Sequence, residues 1–529
     1  MRPTLRPERP ERERWVPTGP GCLRVTRRQW LRRLGVATRV ALTSSLLDEL
    51  HALVPPERPL RVVIIGAGLA GLCAAYELEQ RGHTCLLLEA DTRHLGGRVR
   101  TLRFENGLYG EAGAMRIPLG HTLTRHYVKA FGLALRPFVQ ANPDAYYYLR
   151  GHRERIKDVP RLRRLYALQE AEREKTPDDL WADVVGRRLQ MLTVDERADL
   201  SSPTPETAAV HALDQHSLQQ LCEAEGLSPE AIEYLAVTYG IEALLPSAAT
   251  EHLREERDQV WAQAFHEIIG GTDRLPAAFA ARLQSKPRLG CEVIRVEQDP
   301  WRRRAAAIYC DRHTGDQRQR AEGDFVLCTL PLPVLGRLSF APPLSGAKQR
   351  AIRQLHYDSA TKVLAVATRR FWETDDRIFG GGTYTDLLTG VTYYPSDNAT
   401  AKDPRVSAAA GVMLASYTWG QAARRLAALP HGARASLVMR HLSAVHPQLM
   451  QKGIVRRTAS WNWDTHRWSG GAFAWFLPGQ HTALHRHLIA PEGRIFFAGE
   501  HVSLTHTWMQ GALESALQAV RDMLATSRQ

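Results

Sequence analysis

The pattern of apolar and polar positions divides the chain into three regions. Near the start, a short apolar run from Val62 to Ile65 is followed by glycines, an apolar face from Leu72 to Leu78, and a second run from Thr84 to Leu88. Short apolar runs bounded by glycine read as buried strands, and the spacing between these two is helical. The order is strand, tight turn, helix ended at Gly82, and a second parallel strand. From residue 145 to 265 charges are dense and the period is helical, over 159–174, 180–192, 216–225, 229–239 and 248–265. This predicts an inserted helical region. Strand-like segments return at 291–297, 305–310 and 324–328, then at 360–366, 412–417 and 472–476, the last crowded with rings. The chain ends on an apolar strand, Gly499-Glu500, a loop to Trp508 and a helix over 511–524.

The first unit carries recognisable chemistry. Gly66, Gly68 and Gly71 stand in GxGxxG spacing between strand and helix. The first glycine permits the sharp turn, the second lets a pyrophosphate approach the backbone, and the third lets helix and strand pack closely. The helix N-terminus then offers free N–H groups and a partial positive charge to phosphates. Glu89 closes the second strand, about twenty residues past the glycines, where a carboxylate accepts hydrogen bonds from a ribose. The unit predicts dinucleotide binding.

Composition bounds the rest. The 529 residues suffice for two or three domains, and 44% hydrophobic with 24% charged content is that of a globular protein. No apolar run reaches the roughly eighteen residues of a spanning helix, so no integral membrane segment is expected. The net charge is +13, but the arginines are spread along the chain without a nucleic-acid motif, so no nucleic-acid partner is expected. Seven cysteines show no metal-binding spacing and no metal is expected; Cys73 and Cys85 read as core thiols. Residues 26–32, TRRQWLR, and the apolar stretch to Leu47 resemble a twin-arginine export signal. Arg39 interrupts that stretch and no small-x-small site precedes Pro55, which leaves cytoplasmic and exported locations both open.

Several ordered motifs carry a family resemblance: GAGLAGL at 66–72, GGRV at 96–99, GAMRIP at 113–118, GGTDRLP at 270–276, TKVL at 361–364 with Phe371-Trp372, ASYTWG at 415–420, and FFAGEH with TWMQGALESAL at the end. From about Arg61 to Ala525 the chain resembles the flavin-dependent L-amino-acid oxidases of the flavin monoamine oxidase superfamily. The resemblance implies an α/β fold: a Rossmann-type FAD-binding domain (58–116, 266–345 and 488–529), a mixed-sheet substrate-binding domain (117–144 and 346–487) and an inserted helical domain (145–265), after a basic extension over 1–57. It implies noncovalent FAD. Gly66, Gly68, Leu69, Ala70 and Gly71 would line the pyrophosphate, with Glu89 and Ala90 at the adenosine ribose. Gly97 and Arg98 would reach the phosphates, and Gly113, Ala114, Met115 and Arg116 would run past the flavin. Val293 would hold the adenine, Glu500 the ribityl chain, and Trp508, Met509 and Ala512 the pyrimidine side of the ring. A homodimer is the default assembly.

The implied reaction oxidises L-amino acids with O₂ to 2-oxo acids, ammonia and hydrogen peroxide. An amide-forming amino-acid 2-monooxygenase and an amine oxidase are the alternatives. Arg116, between a glycine turn and a proline, suits a carboxylate clamp, because a guanidinium forms two parallel hydrogen bonds and stays charged. Tyr417 adds an O–H to the same carboxylate. Lys362, a lysine inside an apolar strand, is costly there unless it works; the resemblance implies that it serves the flavin during reaction with O₂. Phe473, Trp475 and Trp508 suit the side-chain pocket, with a broad or an aromatic and large apolar preference. The alignment places Glu255 where venom-type members carry a histidine, with His252 and His266 displaced. No base is assigned, and Glu255 is a candidate for selecting basic side chains.

Overall fold

The strand Arg61–Ile65 lies inside a four-stranded parallel sheet, between Thr84–Leu88 and Phe325–Cys328, with Ile495–Phe497 at the far edge. The computed structural model describes residues 46–50, 52, 58–312 and 318–528. Successive side chains point to opposite faces of a strand. Val62 and Ile64 accordingly join a core with Leu72, Phe279 and Leu517, under the helices Leu69–Glu79 and Met509–Thr526. Val63 and Ile65 join another with Val296, Ala307 and Tyr309, from a second four-stranded sheet. Covered on both faces, the strand reads as a continuous apolar run instead of alternating. Strands far apart in sequence, Arg61–Ile65 and Ile495–Phe497, thus share one sheet.

A seven-stranded sheet forms the other body, in the order Val455–Asn462, Ala360–Ala367, Gly411–Trp419, Val391–Tyr394, Gly381–Thr385, Tyr146–Leu149 and His152–Arg155. All eight residues of Ala360–Ala367 are buried. Val363 and Ala365 face a core with Phe371, Trp372 and Met413. Leu364 and Val366 face the opposite one with Met115, Phe265 and Trp508, and Lys362 shares their parity.

Three readings need correction. Residues 145–155, grouped above with the helices, form the last two strands of the seven-stranded sheet. Residues 159–174 are not an α-helix: tight 3₁₀ turns span Ile156–Leu165, with Pro160 inside. Proline lacks the N–H and its ring clashes with the preceding turn, which stops a regular helix. The helix expected over 248–265 is Ala249–Arg257, and Phe265–Ile268 is a strand between Ile117–Pro118 and Leu135–Phe138. Where the caps are explicit, the helical reading and the structure coincide. Pro229–Tyr239 starts after Ser228, whose hydroxyl accepts from the Ala231 N–H, and ends at Gly240 with φ +66°. No helix among the described residues is long and apolar enough to cross a membrane. The twin-arginine-like segment lies outside the described residues.

Candidate active site

A cavity of about 300 Å³ lies between the parallel sheet and the seven-stranded sheet. Every site residue named from the sequence lines it, except Gly71. The glycine turn explains that exception. A Cβ on Gly71 would stand 2.0 Å from the Gly66 carbonyl oxygen, so this glycine permits helix and turn to touch. A Cβ on Gly68 would meet nothing within 4 Å, so its face is open to the cavity. Gly66 has φ +100°, a conformation that favours glycine. Glu89 accepts hydrogen bonds from the N–H groups of Ala67 and Asp91, both at 2.8 Å, and fixes the turn to the end of the second strand. Burial raises its pKa, and those two donors pull the other way.

Two helix N-termini meet this cavity. The helix Leu69–Glu79 begins at Gly68 and the helix Met509–Thr526 at Trp508, neither with a side-chain cap. Their first N–H groups are therefore available to an anionic ligand. Glu500 ties the two ends of the cavity wall. It accepts from Arg98 Nη1 at 2.7 Å, from the Thr507 N–H at 3.0 Å and from the Ala474 N–H at 3.2 Å. Arg98 also donates to the Ala472 carbonyl at 3.0 Å. Arg98 thus holds Glu500 and Ala472 through Nη1 while lining the cavity. Val293 lines the cavity from a strand, Cys291–Asp299, whose register with its neighbour slips just after it.

At the other end, Arg116 is 9% exposed. It donates through Nη1 to Gln140 Oε1 at 2.6 Å and to the Tyr393 hydroxyl at 3.1 Å. Its guanidinium lies 4.8 Å from the Trp261 ring centre and 5.9 Å from that of Trp508. Among the described residues no carboxylate pairs with it. A buried cation held by neutral groups and aromatic faces is poised for an anion. Tyr417 stands across the strand pair from Lys362 and lines the same space; burial raises its pKa and Arg116 opposes the rise.

Lys362 is 2% exposed on an interior strand, which excludes a solvent-facing edge position. Its Nζ donates to the Gly113 carbonyl at 2.7 Å and the Glu111 carbonyl at 3.3 Å, and lies 4.4 Å from the Tyr417 ring centre. Burial lowers its pKa to about 7; nearby Glu111 resists the fall and Arg116 adds to it. A Cβ on Gly113 would lie 1.9 Å from the Arg98 carbonyl oxygen, so this glycine lets the two backbone stretches pack closely.

Rings line the remaining wall. Phe473 and Trp475 point the same way from their strand, 5.6 Å apart, and Trp419 packs edge-on to both Tyr417 and Phe473. Trp508 and Trp261 donate their indole N–H groups to the two oxygens of Glu255, at 3.1 and 2.8 Å. Sequence reasoning missed Gln140, Tyr393 and Trp261. No local signal marks Gln140 or Tyr393, whereas Trp261 lies in a stretch misread as helix. Trp419 was visible inside the ASYTWG motif but was given no role.

The family model described as flavin containing amine oxidoreductase matches residues 69–524. An L-amino-acid oxidase of Vipera ammodytes ammodytes is 32% identical over 487 residues, covering 90% of this chain and 96% of that protein. One from Siganus canaliculatus is 32% identical over 469 residues, covering 87% and 85%. A solved putrescine oxidase bound to putrescine shares the fold, with a TM-score of 0.71, 19% identity, and coverage of 88% of this chain and 99% of that one. The glycine turn, the paired helix N-termini and the family match over most of the chain lead to one assignment: the protein belongs to the flavin-containing amine oxidoreductase family and is an FAD-dependent oxidoreductase.

Proposed function

We propose that the protein oxidises L-amino acids to 2-oxo acids, releasing ammonia and hydrogen peroxide. The observation that carries this reading is Arg116: buried, facing the cavity, and without a carboxylate partner among the described residues. The residues present fit FAD. Gly68 leaves an open cradle in the turn, and two uncapped helix N-termini face the cavity, one suited to the pyrophosphate and one that would lie at the flavin ring. Gly66, Leu69, Ala70, Glu89, Ala90, Gly97 and Val293 would hold the nucleotide half. Gly113 to Met115, Glu500, Met509 and Ala512 would hold the flavin half. No cysteine lies in the loop before Trp508, consistent with noncovalent binding. When bound, FAD supplies the two-electron acceptor and passes those electrons to O₂.

The chain's own residues orient and protect. Arg116 and the Tyr417 hydroxyl hold the substrate carboxylate, which fixes the Cα–H against one face of the site. Gln140 and Tyr393 hold the guanidinium in place beforehand, so little reorganisation accompanies binding. Phe473, Trp475, Trp419 and Trp508 exclude water and shape a pocket for large side chains, aromatic or apolar. Lys362 holds or releases a proton at Nζ near neutral pH, beside the Gly113–Met115 stretch. The balance is amino acid (neutral amine) plus O₂ plus water to 2-oxo acid, ammonia and hydrogen peroxide.

A peroxide-coupled screen of L-amino acids, with D-enantiomers as controls and product identification, tests the reading. Stoichiometric 2-oxo acid and peroxide from L-substrates support it. An amide with CO₂ would instead identify a monooxygenase.

A further inference from the structure

We infer that Glu255 is the anionic subsite for a cationic side chain, so that the site takes L-amino acids with basic side chains, of the lysine and arginine kind, in addition to large uncharged ones. This rests on the reading of the protein as an L-amino-acid oxidase. Glu255 projects from the helix Ala249–Arg257 and lines the cavity. Each of its oxygens accepts one neutral indole N–H, from Trp508 at 3.1 Å and from Trp261 at 2.8 Å. No lysine, arginine or histidine nitrogen lies within 4.0 Å of it among the described residues. The adjacent Arg254 is engaged elsewhere, by Glu251 at 3.0 Å and the Leu200 carbonyl at 2.9 Å. A carboxylate has about four acceptor sites, so two indole donors leave capacity for a further donor.

The cavity therefore holds a guanidinium and a carboxyl group that do not pair with each other. Burial raises the pKa of the Glu255 carboxyl, and the two indole donors oppose the rise; a cation brought beside it favours the ionised form. Trp261 separates the two groups: its ring faces the Arg116 guanidinium at 4.8 Å and its N–H reaches Glu255. A ligand with a carboxylate at one end and a cation at the other satisfies both. The indole faces of Trp261 and Trp508 add cation–π attraction for the second group.

The alternative cation is the substrate's own α-ammonium. Chemistry argues against that use. Oxidation needs the neutral amine, and a carboxylate fixed beside the α-nitrogen favours the protonated form. At the side-chain end the same carboxylate carries no such penalty. The helix is rigidly placed for this task, because Glu251, one turn earlier, accepts from the Phe476 N–H at 3.1 Å and from His506 Nδ1 at 2.9 Å.

The test compares kcat/KM for L-lysine with that for L-norleucine and L-Nε-acetyl-lysine, and L-arginine with L-citrulline, in the holoenzyme and in Glu255→Gln. Expected is oxidation of lysine or arginine by the natural enzyme, and a fall of about tenfold or more in the lysine-to-norleucine ratio in the variant, in keeping with loss of a desolvated charge pair. Lysine and arginine left untouched while uncharged substrates turn over would overturn the inference. So would an equal loss for every substrate, which would mark Glu255 as a base or as a support for the indoles. Should Glu255→Gln not fold, the ratio of lysine to Nε-acetyl-lysine in the natural enzyme decides alone. Failure of every L-amino acid would sink the oxidase reading itself, a separate outcome.

Discussion

Arg98 Nη1 lies 2.7 Å from Glu500 Oε1, an ion pair between residues 402 positions apart. It joins the turn after the nucleotide-binding strand to the loop that leads into the last helix, at the wall of the cavity.

Breaking that pair leaves a charge without compensation in a largely buried place, at about 3 kcal/mol. Glu500→Ala is therefore expected to lower the melting temperature and the ratio of flavin to protein absorbance after purification. Retention of full flavin content would show that the pair does not organise the cofactor site.

The glycines separate a folding role from a binding role. Gly71→Ala and Gly113→Ala each place a Cβ within 2.0 Å of a backbone oxygen, so both should destabilise the apoprotein by about 3 kcal/mol or more. Gly68→Val meets no protein atom within 4 Å of its Cβ and should leave apoprotein melting nearly unchanged while cutting FAD affinity. Thermal melts of the apo and FAD-loaded forms distinguish the two classes.

Much of this site was legible in the chain because its signals are local. The glycine spacing, the two apolar runs and Glu89 lie within one βαβ unit, where spacing alone dictates geometry. Lys362 stood out as a charged residue inside an apolar strand, and Arg116 by its place between a glycine turn and a proline within GAMRIP. Gln140 and Tyr393 did not, since only the fold brings them to Arg116, from 24 and 277 residues away. Residues 159–174 were misread because charge density and helical spacing outweighed Pro160. The ring of Trp261 was hidden for a related reason: apolar spacing ran on past Arg257, where the helix stops.

Lys362 carries a pH signature. Folding lowers its pKa from 10.5 to about 7, burial being the main cause. Between those values the unfolded chain binds more protons than the folded one, so stability rises with pH across this window, and the cost of burying the charge is felt in full below it. In Lys362→Met the rise in apoprotein melting temperature from pH 7 to pH 9 should be smaller than in the natural protein. Lys348, also lowered to about 7 by burial, retains its own share of the slope. The same variant should slow reaction of the reduced enzyme with O₂ more than its reduction by substrate, as stopped-flow traces of the two half-reactions would reveal.

Arg116→Lys should fold and bind FAD but lose the planar, two-pronged contact with a carboxylate. A fall of about 100-fold in kcat/KM for amino acids is expected, from the 2–5 kcal/mol typical of a truncated charge pair. Steady-state kinetics, with flavin content as the control for folding, measures it.

The central claim is that the site recognises a carboxylate next to the oxidised carbon. The most direct measurement is anaerobic mixing of the holoenzyme with the best L-amino acid, its D-enantiomer and its decarboxylated amine, followed by visible absorbance. The L-amino acid should bleach the flavin band, and the other two should leave it in place. Bleaching by the amine as fast as by the amino acid would contradict the account, because Arg116 would then have no anion to hold.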